Sequence, residues 1–302
     1  MGHDISAQEA ASTSVTPALS LGTVQFGLPY GIANSSGQVD EVTAHAILRL
    51  AQDNGVRSLD TASAYGSSES VIGAFGSQMW RITTKLAALP DDCDDVAAWV
   101  ESELRGSLNR LRATSVDTVL LHHPDDLLGT HGARLHETLM RCREQGLFRA
   151  HGVSLYRTGD LERFVGRFDI DAVQLPFNIL DRELISGGYA QALRNAGIQV
   201  QVRSIFLQGL LLLSLDEQMR RFPAGETTWR TFAEWTAAQE ISQYDACVRF
   251  AIGQADIDAI IVGVDSVEHL TTLLVTAEKP PIDVPLEIVS ANPDVIDPRR
   301  WQ

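Results

Sequence analysis

Four residues of the chain have side chains that together could pass a proton to an oxygen atom: Asp60, Tyr65, Lys85 and His122. A tyrosine hydroxyl, with an ordinary pKa of about 10, is a poor acid at neutral pH unless a neighbouring cation stabilises its phenolate. Lys85 is of the right type to supply that cation, Asp60 to hold the ammonium in place, and His122 to hydrogen-bond the oxygen and share in the transfer. A carbonyl that becomes an alkoxide needs such a set. Singly, each residue also suits a plainer role: Lys85 after Thr83 and Thr84 an ion-pair partner, Tyr65 beside Gly66 a loop anchor. Their joint occurrence near three successive strand ends is what points to a site.

Those strand ends come from an alternation of short aliphatic or β-branched runs with longer amphipathic ones, the pattern of βα units closing on a parallel sheet. Strands are expected at 21–26, 57–61, 81–85, 118–122, 150–154, 172–175, 199–205 and 259–264. Helices are expected at 41–54, 68–75, 94–111, 133–145, 159–167, 188–195, 243–253 and 267–278. In the first helix Ala44, Ile47, Leu48 and Ala51 share one face, and Asn54 with Gly55 supplies a C-cap. Eight such units, with no GxGxxG after the first strand, indicate a closed (β/α)8 TIM barrel rather than an open doubly wound sheet. Barrel enzymes gather their chemistry at the C-terminal ends of strands, where Asp60, Lys85 and His122 close the second, third and fourth.

One barrel domain is expected over 19–302, after a flexible segment at 1–18. An insertion after the seventh strand (213–241) and the tail (279–302) lie outside the alternation, and both suit lids. Trp229, Phe232 and Trp235 recur at threes in the insertion, a helical stripe that suits packing better than substrate contact.

With 24 Lys and Arg against 39 Asp and Glu, the formal charge of −15 opposes nucleic acid and anionic membrane surfaces as partners. Cys93, Cys142 and Cys247 form no CxxC pair and suit a reducing compartment. No run has the form of a signal peptide or the length of a membrane span, so a cytoplasmic protein is expected.

The stretch Leu59-Asp60-Thr61-Ala62-Ser63-Ala64-Tyr65-Gly66-Ser67-Ser68-Glu69 resembles the Asp-Thr-Ala…Tyr-Gly…Glu signature of the aldo-keto reductases. Thr84-Lys85 and Leu121-His122-His123-Pro124 resemble that family's next two motifs. Leu21-Gly22-Thr23, Gly152-Val153-Ser154, Gln174 and Gly209-Leu210-Leu211 extend the resemblance from about Leu19 to Glu278. It implies an oxidoreductase that interconverts a small aldehyde or ketone and its alcohol, with Tyr65 as acid and base assisted by Lys85, Asp60 and His122. It also implies an extended nicotinamide cofactor across the barrel mouth and no metal. Ser154 and Gln174 would hold the nicotinamide carboxamide; Thr23, Arg203, Ser204, Gln208, Gly209, Gly263, Asp265 and His269 complete the expected cofactor-binding set.

Three positions depart from the family pattern. Leu155 stands where Asn is common, removing a hydrogen bond to the carboxamide. Arg203 stands where an aromatic residue usually stacks on the nicotinamide. A guanidinium there would repel the oxidised ring, so Arg203 is read either as favouring the reduced cofactor or as binding an anionic substrate group. Gly263, Val264 and His269 replace the basic residues that grip a 2′-phosphate, with Asp265 nearby opposing one. NADP(H) is favoured on family habit, with NAD(H) close behind.

Two other functions compete. A metal-dependent barrel hydrolase has potential ligands in Asp60, His122, His123, Asp125 and His151 but neither His-x-His after the first strand nor HExxH. A cofactor-sensing regulatory protein on the same fold would keep the barrel and drop the turnover. A sugar or other polyol carbonyl is the expected substrate class, because Asn178, Asp181, Arg182 and Arg203 offer polar contacts.

Overall fold

In the computed structural model, which describes residues 18–34 and 36–301, eight parallel strands pair in chain order and the last closes on the first. The strands are β1 (Ala18–Gly22), β2 (Ser58–Asp60), β3 (Arg81–Leu86), β4 (Val116–Leu121), β5 (Phe148–Ser154), β6 (Ala172–Pro176), β7 (Gln199–Arg203) and β8 (Ala259–Gly263). The helices are α1 (Glu41–Asp53), α2 (Ser68–Phe75), α3 (Val96–Leu111), α4 (Gly132–Glu144), α5 (Glu183–Ser186), α6 (Tyr189–Asn195), α7 (Leu215–Arg221), α8 (Glu226–Ala238), α9 (Gln243–Ile252), α10 (Val267–Ala277) and α11 (Pro293–Ile296). The expected (β/α)8 barrel is the observed architecture. Ala18 already belongs to β1, and the rest of the segment expected to be flexible lies outside the described residues.

Three expected elements are shorter or different, each for a local reason. The first strand stops at Gly22, because 24–26 turn into a 3-10 helix that folds Phe26 into the core. The seventh stops at Arg203, because Ser204 takes a left-handed backbone (φ 62°) that no strand accommodates. The fifth helix is only a 3-10 turn, Thr158–Arg163; the chain reverses soon after at Gly166, with φ 77°.

Side chains alternate along each strand, one set outward under the helices and one inward. Outward Leu59, Ile82, Val119, Leu121, Val153, Val173 and Val200 join the helix faces, among them Ala44, Ile47, Leu48 and Ala51 of α1, in the main core. The inward set is largely small or polar, with Asp60, Lys85, Ser154, Gln174 and Gln201 linked near the C-terminal ends. The 213–241 insertion is the pair α7 and α8. Trp229 and Phe232 are buried there and the Trp229 indole donates to the Phe222 carbonyl at 2.8 Å, the packing role expected of the stripe.

The tail packs on the segments that follow β6 and β7. Arg182, between β6 and α5, donates to the carbonyls of Val284 (2.7 Å) and Pro285 (3.0 Å), and Trp301 packs on Phe222 with ring centroids 4.7 Å apart. Among the described residues no helix is long and apolar enough to cross a membrane.

Candidate active site

The ammonium of Lys85 is completely buried. It donates to Oδ1 of Asp60 at 2.6 Å and to the Thr61 carbonyl at 3.0 Å, and lies 5.1 Å from the centre of the Tyr65 ring. A buried charge of this kind is stable only when paired and hydrogen-bonded. The other Asp60 oxygen accepts from the Gln174 amide at 2.7 Å, and that amide also reaches Gln201 at 3.3 Å. His122 stands nearly perpendicular to Tyr65 with ring centroids 5.8 Å apart. Burial first, then the charges of Lys85 and Arg203, push the His122 imidazole down to about 3, so it is neutral through the physiological range. His123, the next residue, is exposed, as alternation along the chain requires. The four residues expected to act together are brought together.

Tyr65 is not on a strand, and its position depends on a closely fitted turn. Gly66 takes a left-handed backbone (φ 53°), and a Cβ there would overlap the carbonyl oxygen of Gly27. A Cβ at Gly27 would overlap the carbonyl oxygen of Tyr65 itself. The two glycines let the β1 and β2 loops touch backbone to backbone. Beneath them Ser68 donates to the Thr23 hydroxyl at 2.8 Å, and Thr23 donates to the Asp60 carbonyl at 2.9 Å. Glu69 is buried and accepts from Thr84 (2.6 Å) and Arg110 (2.7 Å), fixing α2 to β3 and α3.

A long cleft runs from Asp60 and Tyr65 past Arg203, Ser204, Gln208 and Gly209 to Gly263, Asp265 and His269, enclosing about 1280 Å³ of space continuous with solvent. Its walls are the β1 loop and the loop after β7, tied by a hydrogen bond from the Ile32 N–H to the Gln208 carbonyl at 3.0 Å. Ser204, Leu207 and Gln208 all have left-handed backbones, a concentration of strain of the kind that marks binding loops.

A family model described as Aldo/keto reductase family matches residues 18–283. The chain belongs to the aldo/keto reductase family. Among its relatives are the aldo-keto reductase YhdN of Bacillus subtilis, 28% identical over 49% of this chain and 47% of that protein, and D-threo-aldose 1-dehydrogenase of a Pseudomonas species, 24% identical over 91% and 93%. Aflatoxin B1 aldehyde reductase member 2 of Rattus norvegicus is 30% identical over 53% of this chain and 45% of its own. The chain thus spans about half the length of the first and third of these. An aldo-keto reductase of Bacillus halodurans in its holo form has the same fold, with a TM-score of 0.70 at 19% identity over 89% of each chain.

The lining of the cleft suits an elongated dinucleotide. The Gln25 side chain lines it with a buried carbonyl oxygen that has no partner, and α10 opens on it with Ser266 as N-cap, a place suited to phosphate. Of the residues expected to bind cofactor, Thr23, Arg203, Ser204, Gln208, Gly209, Gly263, Asp265 and His269 line the cleft, and Asp265 pairs with His269. Ser154 and Gln174 do not line it: both are buried beneath, and Gln174 spends its amide hydrogens on Asp60 and Gln201. Asn178, Asp181 and Arg182 do not line it either. Asn178 caps its own turn by accepting from Leu180 and Asp181, and Arg182 serves the tail. Gln25 and Tyr30, cleft residues outside the expected set, follow the first strand; the run Gly27-Leu28-Pro29-Tyr30-Gly31, rich in turn formers around an aromatic, is the signal the sequence offers for them.

The two mid-chain departures from the family pattern meet in one contact. Arg203 donates to the carbonyl of Leu155 at 3.0 Å and stacks 5.0 Å from the centre of the Tyr156 ring. Among the described residues no three His, Cys, Asp or Glu side chains gather closely enough to hold a metal ion.

Proposed function

We propose that the protein is an NAD(P)H-dependent oxidoreductase that interconverts an aldehyde or ketone and its alcohol, with Tyr65 as general acid in reduction and general base in oxidation. The observation that carries this is the buried Lys85 ammonium, held between the Asp60 carboxylate at 2.6 Å and the Tyr65 ring at 5.1 Å. A bound nicotinamide cofactor supplies or accepts the hydride at the carbonyl carbon. Tyr65 delivers its hydroxyl proton to the oxygen as that oxygen gains charge, and Lys85 stabilises the phenolate left behind. Asp60, braced by Gln174, keeps the ammonium oriented and cancels its burial cost. Neutral His122 offers a hydrogen bond at the oxygen without competing as an acid at neutral pH.

The aldehyde and aldose in the names of two relatives support a carbonyl substrate, a sugar among the first to try. NADPH is the first cofactor to try and NADH the second, since Asp265 opposes a 2′-phosphate. Replacing Asp265 with Asn should raise the preference for NADPH over NADH roughly two- to tenfold at low salt. The test is fluorescence titration with both cofactors, followed by loss of reduced-cofactor absorbance across a panel of aldehydes and sugars. Binding with turnover of at least one carbonyl supports the proposal. Tight binding with none, across a wide panel, favours the cofactor-sensing reading, and binding of neither cofactor contradicts both.

A further inference from the structure

Among the described residues, Arg203 is a cation inside the catalytic cleft without an acidic partner. It lines the cleft with Asp60, Tyr65 and Tyr30, yet its two side-chain hydrogen bonds go to neutral acceptors, the Leu155 carbonyl at 3.0 Å and the Ser204 hydroxyl at 3.4 Å. Among the described residues no carboxylate forms an ion pair with it, although the chain carries 39 acidic residues. A guanidinium has five N–H donors, so this one keeps three for a ligand.

The group is also held in place. Its Cζ lies over the Tyr156 ring, and that of Arg299 from the tail lies over the same ring, 4.5 Å from its centre. Arg299 is chelated by Asp297 through two bonds of 2.8 and 2.6 Å, which cancels its charge and leaves it a clamp. Asp297 and Arg299 lie beyond residue 283, where the family match ends. A half-buried cation positioned so firmly, with no anion among the described residues paired to it, is set up to receive an external one.

We propose that Arg203 selects substrates that carry an anionic group, a carboxylate or a phosphate, in addition to the reacting carbonyl or alcohol. The inference rests on the oxidoreductase reading above for what is reacted, but not for what is bound. Arg203 acts at the reacting end of the cleft, since its charge is felt by His122 and Tyr30. The far end, with Gly263, Asp265 and the start of α10, is where cofactor phosphate is better served. Arg203 also leaves an oxidised nicotinamide no cation-friendly face. Its attraction therefore falls on the substrate.

The test compares matched pairs in binding and in turnover. Binding of 4-carboxybenzyl alcohol and benzyl alcohol to the protein with NADPH is measured by calorimetry, for wild type, Arg203→Met and Arg203→Lys. Reduction of 4-carboxybenzaldehyde against 4-methylbenzaldehyde, and of glyceraldehyde 3-phosphate against glyceraldehyde, is followed in the same proteins. The expected result is a preference for the charged member of at least one pair of about tenfold or more in wild type, reduced to near one in Arg203→Met and partly kept in Arg203→Lys. The pair showing the larger preference tells carboxylate from phosphate. A preference in binding without turnover of these carbonyls would leave this inference standing and count against the oxidoreductase reading. No preference in any pair, or one that survives Arg203→Met, overturns it. So does a loss confined to NADPH affinity, which would assign Arg203 to the cofactor's own phosphates.

Discussion

At the scale of single residues the site is governed by one buried charge. Lys85 has no exposed surface, and its ammonium is tolerated because Asp60 and the Thr61 carbonyl receive it. Replacing Lys85 with Met strands the Asp60 carboxylate, itself 3% exposed, and should cost roughly 3–5 kcal/mol in chemical denaturation. Adding Asp60→Asn to that variant should restore a large part of the loss, because the pair is then removed together. His122 gives a pH signature. Its folded pKa of about 3 lies below the unfolded value, so the imidazole is neutral in both states above pH 6.5 and contributes no slope there. Between about pH 6.5 and 3 the unfolded chain takes up a proton that the native site refuses, and stability falls as pH falls. Thermal melts at pH 7 and pH 5 should show His122→Asn losing roughly 1–2 kcal/mol less than wild type over that interval, allowing for the partial exposure of the ring. Equal losses in the two proteins would show that His122 is not buried neutral.

At the scale of elements, the sequence carried the strands and helices well and the loops poorly, for physical reasons. The period-two and period-3.6 patterns reflect burial against neighbours, which is why α2 (Ser68–Phe75) matched the expected 68–75 and why β3 and β6 differed by one residue. Backbone reversals set by left-handed residues leave a weaker trace. Ser204 ended β7 two residues early without a glycine to mark it. The same limit hid the role of Gln174, because inward position can be read from alternation but the choice between Asp60 and a ligand cannot. The Tyr65 turn is the element on which the proposed chemistry leans most. Gly27→Ala should drive the β1 loop from the Tyr65 carbonyl and lower kcat/KM at least tenfold, with a smaller loss in thermal stability than any large core truncation brings. Wild-type kinetics in Gly27→Ala would mean that the turn has room it is not credited with.

At the scale of the molecule, the chain beyond the family match is bound to the segments that follow β6 and β7. Arg182 is 7% exposed, burial pushes its guanidinium down to about 10, and two of its acceptors are the carbonyls of Val284 and Pro285. Ending the chain after Asp283 removes those acceptors from a buried cation and should cost about 3–5 kcal/mol, measured as a lowered urea midpoint. The tail was legible as a segment outside the βα alternation, and its proximity to the mouth was expected of a lid. What it holds was not legible, since the Arg182 and Arg299 contacts join positions about 100 and 140 residues apart and no local pattern encodes them.

Tyr65 is proposed as the proton donor and Lys85 as its stabilising cation. The direct measurement is single-turnover carbonyl reduction by Tyr65→Phe beside wild type, with cofactor affinity measured on the same preparations. A rate lower by a factor on the order of 10² to 10⁴, with cofactor affinity within about threefold of wild type, is the predicted result. A Tyr65→Phe protein that reduces the same carbonyl at the wild-type rate would contradict it.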